Sequence, residues 1–201
     1  MPLLFNANRF AAVKSVTPLE MERLGYGYGY VLYTTTINAL TTPTVLTIPN
    51  VQDRALIYVD QVFQGELGLA VPDQPTALIL QPPAFAAPTR ATSTLAIVVE
   101  NKGRPSGEVQ DFEYARKGIF GIVSLGSNNN LTNWTNYKLP MTWEDLRGRL
   151  AWQSFVQGIG QKPAFYRGTL TIPDQQPLHT WLLTNGWGRG FVLINGFNLG
   201  R

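Results

Sequence analysis

Short runs of β-branched and aromatic residues, separated by Gly, Pro, Asn and Asp, recur along most of the chain. One of them, Tyr-Val-Leu-Tyr-Thr-Thr-Thr-Ile at 30–37, follows glycines and precedes Asn38. Such runs predict strands, and turn residues at intervals of roughly 8–12 positions are typical of a sandwich or barrel. The sequence therefore predicts an all-β fold with strands at 30–37, 44–48, 55–60, 62–67, 76–80, 94–100, 119–125, 164–172, 178–184 and 190–194.

The segment 139–163 interrupts this pattern, because it is rich in Trp, Arg and Gln and has no strand periodicity. Thr142 and the acidic residues that follow it predict a short helix over 142–147, which Gly148 would end. Composition supports a β protein: the 201 residues include 19 Gly and 14 Pro, and 14% are charged. A typical domain has about 25% charged residues, so a helical bundle with charged solvent faces is disfavoured. We expect one or two domains joined by 139–163.

Charge and residue usage exclude several classes of function. The net charge is +3 and the cations are dispersed, which argues against a nucleic-acid partner. The chain has no cysteine, and the lone His179 excludes a multi-histidine metal site. No stretch approaches the roughly 18 apolar residues of a membrane span. The chain is therefore expected to lack disulfides and thiolate chemistry as well as a membrane span.

Two features bear on localisation. The first residues lack the charged start and apolar stretch of a signal peptide. Asn130 and Asn133, however, each begin an N-glycosylation tripeptide, which matters only in a secretory pathway. A secretory chain without a secretory start is most simply a piece of a longer one.

The residues by themselves predict no catalytic site. The glycine-alternating runs at 25–30 and 186–191 lead into strands and lack the last glycine of a dinucleotide fingerprint. Neighbouring acids could in principle flank a glycosidic bond, but ordinary solvated acids explain them as well; these are Glu20/Glu22, Asp111/Glu113 and Glu144/Asp145. His179 has no Gly-x-Ser-x-Gly elbow to accompany it.

Aromatic side chains are the remaining candidates for chemistry, since Trp and Tyr combine an apolar ring with a polar tip. The candidates for contact with a sugar are Tyr26, Trp143, Trp152, Trp181 and Trp187, of which Trp143, Trp152 and Trp187 lie beside predicted turns. Trp181 and Phe191 fall in predicted strands and are expected in the core.

A series of short motifs carries a further prediction. They are Tyr-Gly-Tyr-Val-Leu-Tyr-Thr-Thr-Thr at 28–36, Asp-Arg-Ala at 53–55, Val-Val-Glu-Asn-Lys-Gly-Arg at 98–104, Lys-Gly-Ile at 117–119, Leu-Thr-Asn-Trp at 131–134, Gly-Trp-Gly-Arg-Gly at 186–190 and Asn-Gly-Phe-Asn-Leu-Gly-Arg at 195–201. In this order, across 18–201, they resemble the C-terminal β-domains of the glycoside hydrolase family 35 β-galactosidases.

The resemblance implies an architecture. It implies two galactose-binding-like jelly-roll β-sandwiches: a first domain over 1–138, a linker over 139–163 and a partial second sandwich over 164–201, truncated at its C-terminus. The family's two catalytic glutamates belong to a TIM barrel, so no catalytic residue maps onto this chain and it is not expected to be an enzyme as it stands. No metal or organic cofactor is implied.

One departure from the family concerns a loop near the barrel's active-site mouth. The family usually continues its Asn-x-Gly-Arg motif with Asn-Tyr-Gly, whereas Pro-Ser-Gly follows Arg104 here. Tyr114 is a candidate to replace the missing aromatic residue. The candidate pocket-rim or sugar-facing residues are therefore Tyr114, Trp143, Trp152 and Trp187.

The leading hypothesis is a non-catalytic accessory region of a secreted or lysosomal-type β-galactosidase. Its partner would be a family 35 TIM-barrel catalytic domain in a longer chain, with galactosides as candidate ligands. The alternatives are an independent carbohydrate-binding module and a structural or oligomerisation domain, with independent hydrolysis ranked last. A missing strand beside 190–194 would expose an apolar edge, which predicts self-association through the incomplete second sandwich.

Overall fold

The computed structural model describes residues 10–68, 76–83, 90–104, 107, 115–127, 129–139, 141–148, 152, 154, 164–172 and 179–200. Within these ranges the secondary structure is strands and one short helix, and the sheets are antiparallel. The predicted all-β class is confirmed. The chain divides into two compact units, residues 2–140 and residues 141–201.

The first unit carries most of the strands. Their bounds are β1 Ala12–Ser15, β2 Gly29–Asn38, β3 Thr44–Thr47, β4 Asn50–Gln52, β5 Arg54–Val59, β6 Val62–Leu67, β7 Ala77–Leu80, β8 Thr92–Asn101, β9 Gly118–Phe120, β10 Ser124–Leu125 and β11 Trp134–Leu139. The run predicted at 119–125 is two strands, β9 and β10, because Gly121 between them adopts a φ of 84°.

The strands of the first unit form three sheets around one core. A six-stranded sheet has the order β1-β11-β2-β8-β5-β6, a three-stranded sheet has the order β10-β3-β7, and β4 pairs with β9. Buried side chains of all three sheets pack in a single cluster, among them Tyr33, Ile97, Leu46 and Ile119. Sheets that bury their apolar faces against one another make a β-sandwich.

The central strands β2 and β8 pair over their full length, from Gly29 opposite Asn101 to Asn38 opposite Thr92. The ends of these strands therefore lie at two opposite edges of the sandwich. Gly29, Asn101 and the residue before β5, Asp53, all belong to the same edge, since Arg54 pairs with Glu100. This edge positions the candidate site.

The second unit is smaller and contains α1 Trp143–Leu146, β12 Val192–Ile194 and β13 Phe197–Gly200. The helix lies within the segment where the sequence predicts one, and Gly148 just beyond it has a φ of 75°. The two strands form a hairpin whose turn residues, Asn195 and Gly196, have φ angles of 51° and 87°. Positive φ at both central positions is the geometry of a type I′ turn, which suits the twist of a hairpin.

Three predictions for the second unit are wrong. The described parts of 164–172 and 178–184 contain no strand. Trp181 is expected in the core, yet 80% of its surface is exposed. A segment with strand propensity forms a strand only where another strand pairs with it, and no strand among the described residues pairs with these segments. Phe191, also expected in the core, is half-buried.

Candidate functional site

A buried ion pair lies at the sandwich edge where β5 begins and β8 ends. The Nζ of Lys117 donates to Oδ1 of Asp53 at 2.6 Å, and the lysine side chain is only 5% exposed. The other carboxylate oxygen of Asp53 accepts the backbone N–H of Lys102 at 2.6 Å. A charge buried this deeply is tolerated only with a hydrogen-bonded partner, so each of these residues requires the other.

Two further carboxylates complete this polar edge. Glu22 accepts the backbone N–H of Lys117 at 3.0 Å and forms an ion pair with Arg104, while Glu20 accepts from Nη1 of Arg116 at 3.0 Å. Glu20 and Glu22 are therefore committed to ion pairs rather than simply solvated. Together with Asp53, they fix the backbone on both sides of residues 105–115.

A cleft of about 550 Å³ opens beside these ion pairs. Its lining residues are Asn50, Gln52, Asp53, Gly103, Ala115, Arg116, Lys117 and Phe120. The cleft thus combines an aromatic ring, two amides and ion-paired charges, which is the mixture of apolar and directional polar groups found in small-ligand sites.

Gly118, which follows the cleft residue Lys117, occupies a position where no other residue fits. Its φ is 108°, and a Cβ at this position would lie 2.6 Å from the hydroxyl oxygen of Tyr33. That hydroxyl donates to the carbonyl of Leu19 at 2.8 Å. Burial raises the pKa of Tyr33 far above its usual value, so the hydroxyl keeps its proton and remains a donor.

The tryptophans singled out from the sequence lie in the second unit and make three different contacts. Trp143 packs beside Gly196, where a Cβ would come within 2.8 Å of the indole. The guanidinium of Arg167 lies 4.8 Å from the centre of the Trp152 ring. Trp187 meets Tyr166 edge-on at 5.1 Å between ring centres.

The other sequence candidates are distributed as follows. Asn130 and Asn133 are exposed in the first unit, on either side of the buried Leu131. Tyr114 lies outside the described residues. The prediction that Tyr114, Trp143, Trp152 and Trp187 face a sugar or a pocket rim stays a prediction.

The cleft residues Asn50, Gln52 and Phe120 were missed by the sequence analysis. Asp53 and Lys117 both occur in the motifs quoted above, but they are separated by 64 positions and only the fold brings them together. The local signal for the cleft is weak, since short strands of Asn, Val and Gln have little strand character.

The described residues contain no cluster of three or more His, Cys, Asp or Glu side chains suited to a metal ion. In the same residues, no helix has the length and apolar character needed to cross a membrane.

The sequence matches two neighbouring families of β-domains. Residues 18–140 match "Beta-galactosidase, first all-beta domain", and residues 163–201 match "Beta-galactosidase, galactose-binding domain". The first match alone covers more than half of the chain. The chain therefore belongs to the β-galactosidase family.

Curated relatives agree with this assignment. A "Beta-galactosidase" of Xanthomonas manihotis is 38% identical over 187 residues, covering 92% of this chain and 28% of the relative. The human "Beta-galactosidase" is 33% identical over 215 residues, covering 94% and 28%. The human "Beta-galactosidase-1-like protein 2" is 34% identical over 198 residues, with the same coverage. The chain thus spans less than a third of the length of these relatives.

Proposed function

We propose that the chain is a non-catalytic accessory region of a family 35 β-galactosidase, which packs against a TIM-barrel catalytic domain in a longer chain. The observation that carries the proposal is the tandem match to two β-domain families within a region that covers 28% of each relative. The proposed domains are 1–138 and 164–201, joined by 139–163. A secreted or lysosomal-type location is part of the same proposal.

The carboxylates of the first unit support a structural rather than a catalytic role. Those that the structure describes lie in ion pairs with Arg or Lys: Glu20, Glu22, Asp53, Asp60, Glu66 and Glu100. A glycosidase needs one carboxyl group that donates a proton and a second that attacks or activates water. Acids held by cations in this way serve instead to fix the strands and loops of the sandwich.

The test is a chimera with the Xanthomonas manihotis relative, in which this chain replaces the matching region. We expect the chimera to fold and to hydrolyse a nitrophenyl β-galactoside, whereas this chain alone gives no turnover. A matched chimera carrying Lys117→Met, which breaks the buried ion pair, should lose soluble yield. Turnover by this chain alone, with contaminating enzyme excluded, would contradict the proposal.

The second unit gives a specific reason to expect a packing partner. Large apolar side chains of this unit are exposed: Leu170, Ile172, Trp181, Leu182, Leu183, Trp187, Phe197 and Leu199. Large apolar side chains left exposed in this number are typical of an interaction site. We assign it to the rest of the β-galactosidase chain, and expect the same surface to self-associate when that partner is missing. Sedimentation should show that the free chain associates and that the chimera does not associate through this surface. A free chain that stays monomeric at all concentrations would contradict the assignment.

A further inference from the structure

The outer face of the β4–β9 pair places an aromatic ring beside two amides. Asn50 lies directly opposite Phe120, and Gln52 lies opposite Gly118. Residues two apart in a strand share a face, so Asn50, Gln52 and Phe120 project to the same side. The residues between them face inwards: Ile119 is fully buried in the core and Val51 packs against it. All three outward side chains line the cleft.

Gly118 holds the strand face in place opposite Gln52. It is buried, and a Cβ there would lie 2.6 Å from the Tyr33 hydroxyl, so only glycine fits at this position of the pair. The amide nitrogen of Gln52 lies 3.5 Å from Oδ1 of Asn50, which puts the two amides side by side at the cleft surface. The wall therefore combines an aromatic ring with a pair of adjacent amides.

The charges in the cleft favour a neutral ligand. The ammonium of Lys117 is neutralised by Asp53, and the guanidinium of Arg116 is paired with Glu20. An anion would have to compete with these carboxylates at both cations. A neutral polyhydroxyl ligand does not, because it needs only donors and acceptors, and each amide supplies both.

Neutral saccharides match this wall. A sugar ring has an apolar C–H face that an aromatic ring covers, and its hydroxyls both donate and accept hydrogen bonds. A cleft of about 550 Å³ also falls within the range of roughly 300–1,000 Å³ typical of small-ligand sites. We propose that this cleft binds a neutral saccharide, with the ring of Phe120 against its C–H face and the amides of Asn50 and Gln52 on its hydroxyls. The site belongs to the first unit and is separate from the region matched as a galactose-binding domain.

The experiment is a titration of the full chain with methyl β-galactoside, lactose and maltose, followed by amide chemical shifts. We expect saturable shifts in the first unit. Asn50→Ala and Gln52→Ala each remove a hydrogen bond and should raise Kd about fivefold. Phe120→Leu keeps an apolar side chain but removes the ring, and should weaken binding at least as much.

One variant serves as the matched control and a second tests the competing location. Phe63→Leu changes a 47% exposed ring on β6 of the same unit and should not alter Kd. Trp187→Phe changes an exposed ring of the second unit and tests whether the sugar binds there instead. Circular dichroism verifies that each variant folds. Because Asn50 and Gln52 are exposed, their variants test the site even if Phe120→Leu proves unstable.

Three results would overturn the inference. They are the absence of saturable shifts for all three sugars, an unchanged Kd in both amide variants, and displacement of the sugar by an equal concentration of sulfate. A loss of binding only in Trp187→Phe would place the sugar in the second unit. None of these results affects the accessory role, which the chimera tests independently through folding and turnover.

Discussion

Replacing Tyr33 by phenylalanine should destabilise the protein at neutral pH. The difference in stability between the variant and the wild type should disappear at alkaline pH. Tyr33 is fully buried in β2, and its hydroxyl donates to the carbonyl of Leu19 at 2.8 Å. The substitution keeps the ring and removes only the hydroxyl. At pH 7 the variant loses one buried hydrogen bond and leaves the acceptor unpaired, which should lower the free energy of unfolding by about 1.5 kcal/mol.

The pH dependence follows from the raised pKa of the buried phenol. In the unfolded chain a tyrosine ionises near its ordinary pKa of about 10, whereas burial keeps Tyr33 protonated well above that pH. A raised folded-state pKa contributes stability that is complete below the unfolded pKa and is lost as the pH rises above it. The loss is about 1.4 kcal/mol by pH 11, one unit above the unfolded pKa. The Tyr33→Phe variant has no phenol to ionise at this position and does not show this loss of stability.

The two effects are of similar size, so the wild type and Tyr33→Phe should become equally stable near pH 11. The assay is urea unfolding of the full chain from pH 7 to pH 11, followed by far-UV circular dichroism and by the emission of the buried Trp134. Tyr28→Phe, which changes an exposed ring, is the control and should have no effect at pH 7. A Tyr33→Phe destabilisation that is the same at every pH would refute the reasoning.

Three further substitutions test the packing of the first unit by urea unfolding. Asn136→Ala removes three hydrogen bonds of a fully buried side chain, including the one that accepts the N–H of Leu19, and should cost about 3 kcal/mol; a loss below about 1 kcal/mol would contradict the network. Gly118→Ala forces a Cβ against the Tyr33 hydroxyl at a φ of 108° and should cost about 3 kcal/mol. Combined with Tyr33→Phe it should cost less than the sum of the two, and strict additivity would count against the contact. Gln61→Gly relieves a φ of 68° in the β5–β6 turn and should stabilise by about 0.5–1 kcal/mol, so a destabilised variant would show that the turn is not strained.

The long central strands could be predicted from the sequence because β-branched, aromatic and other apolar residues make up most of each strand. The run at 30–37 matches β2, and the run at 94–100 lies within β8. Both strands have buried residues on both faces, for example Val31 and Leu32, so their composition leaves few alternatives. The short strands β1 and β4 have no such signal, since they contain Lys, Asn and Gln and are defined by the strands they pair with.

The candidate cleft could be predicted only in part. The motifs contain Asp53 and Lys117 but give no information about their contact, which depends on the pairing of β4 with β9 across more than sixty positions of the chain. The candidate pocket-rim residues in the sequence are three tryptophans and Tyr114, whereas the cleft contains the ring of Phe120 beside two amides. A phenylalanine among other apolar residues carries no sign that its ring reaches a surface until the register of its strand is known.

The second unit contains segments that resemble strands in composition but form no strands. Segments 164–172 and 179–184 contain β-branched and aromatic residues as β2 does, yet none of their residues belongs to a strand, and all of them except the half-buried Phe165 are exposed. The composition of a segment shows whether it suits a buried strand, but the segment forms a strand only when a partner strand is present. An 80% exposed Trp181 beside exposed Leu182 and Leu183 is costly to leave in water, at about 25 cal/mol for each Å² of apolar surface. These residues are therefore suited to an interface, which is the arrangement that the accessory role requires and that the chimera would restore.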